Sequence, residues 1–240
     1  MKSKKITESM KLDENVFEKF SFDWWNLSGK FQALHTYNFV RIDFIRKNFE
    51  KSSTNFLKNI KILDVGCGGG ILCEPLARLG ADVTGIDTNA KAIKVANEHA
   101  KLENLNIKYL NTDLRNFKSS KNYDLITAME VLEHIEDSDS LIKNVRSNLK
   151  EKGMFIGSTI NRTISSYIFA ILFAEKIIKL LPKETHNWQD FIKPNHLKKK
   201  LIFNNFSDIN FQGVIYNPIT KNWKFVDNCN VNYMFSARLK

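Results

Sequence analysis

The run Leu63-Asp64-Val65-Gly66-Cys67-Gly68-Gly69-Gly70 constrains this chain more than any other feature. It follows a short apolar segment, 60–65, that reads as a buried strand. It precedes 71–79, which reads as a helix closed by Gly80. Glycine lets a backbone turn tightly and approach a ligand with no Cβ in the way. The strand–helix pattern then repeats. Strands are predicted at 82–86, 107–110, 123–128 and 154–160, with helices at 90–102 and 141–149. Alternation of this kind implies βαβ units and a mostly parallel, doubly wound α/β sheet. Two late strands, 209–216 and 231–239, are expected to form an antiparallel edge. Residues 12–49 read as helical, with an aromatic load of Phe17, Phe20, Phe22, Trp24, Trp25 and Phe31. The expected organisation is a single domain in four parts. These are a helical cap (1–58), a ligand-binding core (59–160), an amphipathic insertion and substrate or membrane segment (161–200), and C-terminal strands completing the sheet (201–240).

The spacing of the loop narrows the ligand. A dinucleotide site wants G-x-G-x-x-G/A, so that a pyrophosphate meets the helix N-terminus. Read from Gly66, the sixth position is Ile71, and the pattern is G-x-G-x-G with Asp64 just upstream. An acid there repels pyrophosphate and suits an amino group. A second acid, Asp87, ends the second strand about twenty residues after Gly66, where a carboxylate accepts ribose hydroxyls. Together these describe a site for S-adenosylmethionine, which joins adenosine, a sulfonium and an amino-acid tail without phosphate. Asp64, Gly66, Gly68 and Asp87 are its candidate contacts. Asp113, after the third strand, either reaches the adenine edge or caps a turn. Met129 ends the fourth strand on the ligand side.

Glu130, Glu133 and His134 follow at i, i+3 and i+4. If one helical turn begins after the strand, all three share a face. They could then hold a divalent cation, for which mostly oxygen ligands favour Mg²⁺. Alternatively, His134 serves as a general base. Helix capping and pocket lining are the plainer alternative. Segment 164–181, rich in Ile and Leu, carries charge only in its second half, and Lys183 and Lys198-Lys199-Lys200 lie beyond it. Such a stripe either packs in a core or dimer face or lies in a membrane interface.

Composition excludes disorder, since apolar residues are 43% and charged residues 26% of the 240. The net charge of +10 favours anionic surroundings, or else reflects a Lys-, Asn-, Ile- and Phe-rich compositional bias. Nucleic-acid amino-methyltransferases usually place Asn/Asp-Pro-Pro-aromatic after the fourth strand. Met129-Glu130-Val131-Leu132 stands there instead, so nucleic acid is not an expected partner. Three cysteines, Cys67, Cys73 and Cys229, contain no CxxC pair and fit a reducing, cytoplasmic setting.

Over nearly its whole length the chain resembles the bacterial ubiquinone biosynthesis O-methyltransferases. The likeness lies in Trp24-Trp25-Asn26-Leu27, in Phe31-Gln32-Ala33-Leu34-His35 with Asn38 and Arg41, and in the glycine loop. It continues in Met129-Glu130-Val131-Leu132-Glu133-His134, Ser158-Thr159-Ile160-Asn161-Arg162, Thr185-His186, Phe191-Ile192-Lys193-Pro194, Tyr216-Asn217-Pro218-Ile219-Thr220 and Val231-Asn232-Tyr233-Met234. Ala33 departs from the family's usual proline. The resemblance implies the Rossmann-like class I methyltransferase fold and two O-methylations of polyprenylated catechol or demethylubiquinol intermediates. It implies cofactor contacts at Arg41, Gly66, Asp87 and Met129. It also implies a metal pattern at Glu130, Glu133 and His134, as in eukaryotic relatives, and lipid contact by the insertion at the cytoplasmic side of the inner membrane. Other proteins of ubiquinone biosynthesis are the further expected partners. The competing readings are a methyltransferase for a small soluble acceptor and a non-catalytic S-adenosylmethionine-binding scaffold.

Overall fold

The structure is a computed structural model that describes residues 24–29, 31–49, 56–119, 122–135, 137–163 and 191–240. The aromatic-rich N-terminal stretch before Trp24 and the insertion 164–181 therefore lie outside the described residues. Turns at 24–29 lead to α1 (Gln32–Asn48). There follow β1 (Lys61–Val65), α2 (Cys73–Arg78), β2 (Asp82–Asp87), α3 (Ala90–Leu102), β3 (Lys108–Asn111), β4 (Tyr123–Met129), a 3₁₀ turn (Leu132–His134) and α4 (Ser138–Asn148). The chain ends with β5 (Leu149–Ile160), α5 (Pro194–Phe203), β6 (Phe206–Asn217), β7 (Asn222–Val226) and β8 (Asn232–Leu239).

These strands form one eight-stranded sheet in the order β3-β2-β1-β4-β5-β8-β6-β7. Strands β1 to β5 pair in parallel, and β8, β6 and β7 are antiparallel. Chain order reverses between β1 and β4, so the carboxyl ends of β1, β2 and β4 open on one crevice, where ligands of such sheets bind. Strand alternation sends successive side chains to opposite faces. Ile62, Leu125 and Ile156 meet Tyr37, Phe44, Leu76 and Ile93 from α1, α2 and α3. Leu63, Ile126 and Phe155 meet Leu141, Val145, Leu197 and Leu201 from α4 and α5. Fully burying a Leu or Ile of this kind contributes about 1.5–3 kcal/mol, so the two helical layers hold the sheet from both sides.

The structure departs from the sequence pattern mainly at the C-terminal side. Residues 194–203, where the sequence pattern marks no helix, form α5, with Pro194 in the first turn, where its missing N–H has no intrahelical partner to lose. Strand β7 is absent from the sequence expectation. It is short and half-exposed, and its signal is one alternation, Trp223 and Phe225, after a turn in which Asn217 Oδ1 accepts the Ile219 amide at 2.9 Å. Both rings pack against the layer of α1. Among the described residues no helix is long and apolar enough to cross a membrane.

Candidate active site

The glycine loop joins β1 to α2 at the crevice. Gly66 and Gly68 both have positive φ, +71° and +53°, which L side chains rarely adopt. The amides of Gly66 and Cys67 both donate to Ile86 O, at 2.8 and 3.1 Å, and so tie the loop to β2. Asp87 closes the same corner. Its Oδ2 accepts the Gly68 amide at 2.8 Å and its Oδ1 accepts the Asn89 amide at 2.8 Å. Burial pushes its pKa up, against the pull of these amides. The carboxylate is therefore anchored by backbone where a ribose diol would meet it, with further lone pairs open to that diol.

Asp64 is buried on the α1 side of the sheet, in register with Thr127 of β4. Its Oδ1 accepts from Thr127 Oγ1 at 2.6 Å and its Oδ2 from Cys73 Sγ at 3.2 Å. Desolvation raises its pKa to about 6. In this arrangement Asp64 pins β1, β4 and the start of α2 together beneath the loop.

Helix α1 lays a polar stripe over the crevice. Arg41 is 5% exposed, has no ion pair among the described residues, and keeps a buried Nε without a hydrogen-bond partner. Its guanidinium lies 4.4 Å from the Tyr37 ring centroid, and one terminal nitrogen approaches Asn38 Oδ1 at 3.5 Å. A buried, unpaired guanidinium is costly to hold and is the natural clamp for a ligand carboxylate. Tyr37 is stacked on Trp223 at 4.1 Å between centroids, which braces it from β7. Its hydroxyl is buried beside Ser158 without a hydrogen bond of good geometry, and burial, then the charge of Glu130, drive its pKa up. Sequence reasoning missed Tyr37, Ser158 and Thr127. Only Tyr37 left a signal, its i, i+4 spacing to Arg41 on one helix face.

Met129 ends β4 buried, opposite Ser158 of β5. The next three candidates do not share a helix face. Glu130 takes a left-handed backbone, φ +56°, which breaks the turn before it starts, and a 3₁₀ turn follows. Glu133 is buried, its Oε2 accepting from Thr159 Oγ1 at 2.8 Å, whereas His134 is exposed. Among the described residues no three His, Cys, Asp or Glu side chains are grouped to hold a metal ion. The expected Mg²⁺ set of Glu130, Glu133 and His134 is thus not assembled, and these residues do not fit it. What is assembled is a carboxylate pair. Glu130 receives a backbone anchor, its amide lying 3.1 Å from Ser158 O and 3.2 Å from Ser158 Oγ, and its Oε1 is buried without a partner. Desolvation, reinforced by the neighbouring Glu133, pushes its pKa up to about 7. Such a group can take a proton near neutral pH.

Asp113 is engaged locally. Its two oxygens accept from Arg115 Nε and a terminal nitrogen at 2.9 and 2.7 Å, and Oδ1 also accepts the Arg115 amide at 2.7 Å. The Arg115 bonds hold its pKa below the usual range. This is the turn-capping alternative for that side chain.

Arg41, Gly66, Gly68 and Asp87 together fit S-adenosylmethionine, with a free guanidinium for its carboxylate and a carboxylate for its ribose. Comparison with known proteins agrees. The methyltransferase domain family profile matches residues 35–206. A ubiquinone biosynthesis O-methyltransferase of Pelagibacter ubique is 43% identical over 91% of this chain and 93% of its own length. A protein of that name from Glaesserella parasuis is 41% identical over 91% and 93%. Among solved structures, magnesium protoporphyrin IX methyltransferase from Synechocystis with bound SAM superposes with a TM-score of 0.66 at 18% identity, covering 97% of each chain. The plantazolicin methyltransferase in complex with SAH gives 0.64 at 18% identity, covering 99% of each. At those identities the two structures speak for the fold alone.

Proposed function

The chain belongs to the family of ubiquinone biosynthesis O-methyltransferases, S-adenosylmethionine-dependent enzymes, and from that premise we propose how its residues divide the work. The acceptor is a hydroxyl of a polyprenylated catechol or demethylubiquinol. When bound, S-adenosylmethionine supplies a methyl group on a positively charged sulfur. Arg41 clamps its carboxylate and Asp87 its ribose, while Gly66 and Gly68 let it lie close to the backbone. Glu130 accepts the proton of the acceptor hydroxyl as that oxygen forms its bond to the methyl carbon. The carbon–sulfur bond breaks with its electron pair left on sulfur, so charge and protons balance. Glu133, held by Thr159, keeps Glu130 basic enough to act near neutral pH.

The observation carrying this assignment is the buried, unpartnered Oε1 of Glu130 at the carboxyl end of β4. With Glu133 held by Thr159 and His134 exposed, we take a base rather than a metal as the means of activating the hydroxyl. We also propose that 164–181 rests on an anionic membrane and presents the prenyl tail, the enzyme being peripheral to the cytoplasmic side of the inner membrane. That reading is supported by the composition of the segment and by the lysines around it. Mass spectrometry of quinone intermediates tests the substrate class. Cells lacking this protein should accumulate a demethylated ubiquinone precursor, and a normal quinone profile in them would refute the assignment.

A further inference from the structure

The glycine loop is also held from outside, by residues to which the proposed reaction gives no part. Trp25 Nε1 donates to Gly69 O at 3.0 Å. Its ring lies flat on the His99 imidazole of α3, with centroids 3.6 Å apart and planes 1° from parallel. His99 Nδ1 is 2.6 Å from Oε1 of Glu74, which sits in the first turn of α2 directly after the loop. A carboxylate only accepts, so Nδ1 carries the proton of that bond. The Glu74 side chain is 2% exposed, and His99 is its nearer partner, Arg78 approaching only to 3.7 Å. Arg78 is itself paired to Glu103 at 2.5 Å. On the other side, His35 of α1 lies 2.8 Å through Nε2 from Trp24 O and tilts against Trp25 at 5.5 Å. The Trp24 indole fills the space a Cβ on Gly68 or Gly69 would need, with ring atoms 2.6 Å from each such position.

The loop is thus gripped at Gly68 and Gly69 by Trp24 and Trp25, and a single imidazole, His99, joins α3, α2 and the turn at 24–29. We infer that His99 is a positioning residue for the cofactor loop. It seats Trp25 on Gly69 and hydrogen-bonds buried Glu74, so that the loop amides keep the conformation that receives S-adenosylmethionine. This inference rests on the cofactor reading above.

The test is calorimetry with S-adenosylhomocysteine and steady-state kinetics on full-length His99→Ala and Trp25→Phe. Losing a flat aromatic stack and one charge-assisted hydrogen bond should weaken cofactor affinity about threefold to tenfold. The kcat at saturating cofactor should stay unchanged, because no reacting atom is touched. Trp25→Phe keeps an aromatic ring, though a smaller one, and loses the bond to Gly69, so its loss should be smaller, and the double variant should lose less than the two losses combined. Wild-type affinity in His99→Ala, or a kcat at saturating cofactor that falls along with the affinity, would overturn the inference while leaving the cofactor reading intact. Absence of binding by the wild type would overturn both.

Discussion

Replacing Glu130 by glutamine keeps the shape of the side chain and removes its titration. In the folded protein the carboxyl holds its proton up to about pH 7, whereas the ordinary value is 4.5. The folded state therefore binds more protons than the unfolded state between these two values, and stability falls as pH rises through that window. Above pH 7 the ionised, desolvated carboxylate costs up to about 3 kcal/mol, because each pH unit of that window is worth about 1.4 kcal/mol. Below pH 4.5 both states are protonated and the cost is absent. Glu130→Gln should melt like the wild type at about pH 4. At about pH 8 it should be more stable by several degrees, since 1 kcal/mol moves Tm by about 2–4 °C in a chain of this size. The same variant should lose about 10²–10⁴-fold in kcat, the usual contribution of a positioned base. Cofactor affinity should hardly change. The wild-type rate should climb through about pH 7, and the variant should lack that limb. Calorimetric melts at the two pH values, together with a pH–rate profile, check both parts. Equal melting differences at the acidic and the alkaline pH, with the rate limb retained, would refute the assignment of a buried, perturbed base at this position.

Asp87→Ala should weaken binding of S-adenosylmethionine by roughly 10- to 100-fold, the worth of hydrogen bonds to a buried diol. Titration calorimetry showing unchanged affinity would remove Asp87 from the site. Gly68→Ala places a Cβ 2.6 Å from the Trp24 ring on a backbone at φ +53°, a conformation costing an L residue about 1–2 kcal/mol. Cofactor affinity should fall at least tenfold, and a thermal melt should show the strain; wild-type behaviour in both assays would mean the loop tolerates displacement of Trp24. Replacing Ile168, Ile171 and Leu172 with Glu should abolish co-sedimentation with anionic liposomes and activity on long-tailed acceptors, while a tail-less catechol is still methylated. Wild-type protein that does not co-sediment at low salt would instead assign 164–181 to a core or dimer face.

Much of this protein is written in its sequence because the signals are local. A run of glycines between an apolar strand and a helix has few other uses, and the strands from β1 to β5 announce themselves by alternation with helices. Spacing alone located Asp87, since the length of one βαβ unit sets where the second strand must end. The resemblance added Arg41, which no local pattern marks. Tertiary structure decided what local signals cannot carry. Strand β7 exists because Trp223 and Phe225 find α1, a partner far away in the chain. Glu130, Glu133 and His134 have helical spacing, yet a left-handed backbone at Glu130 separates them and leaves a buried carboxylate pair with an exposed imidazole. Asp113 and Asp64 look equally acidic in sequence, but one meets Arg115 at the surface and the other is buried beneath the loop. Charge, burial and unpaired lone pairs depend on what lies within a few ångströms in space, and only the assembled sheet brings those neighbours together.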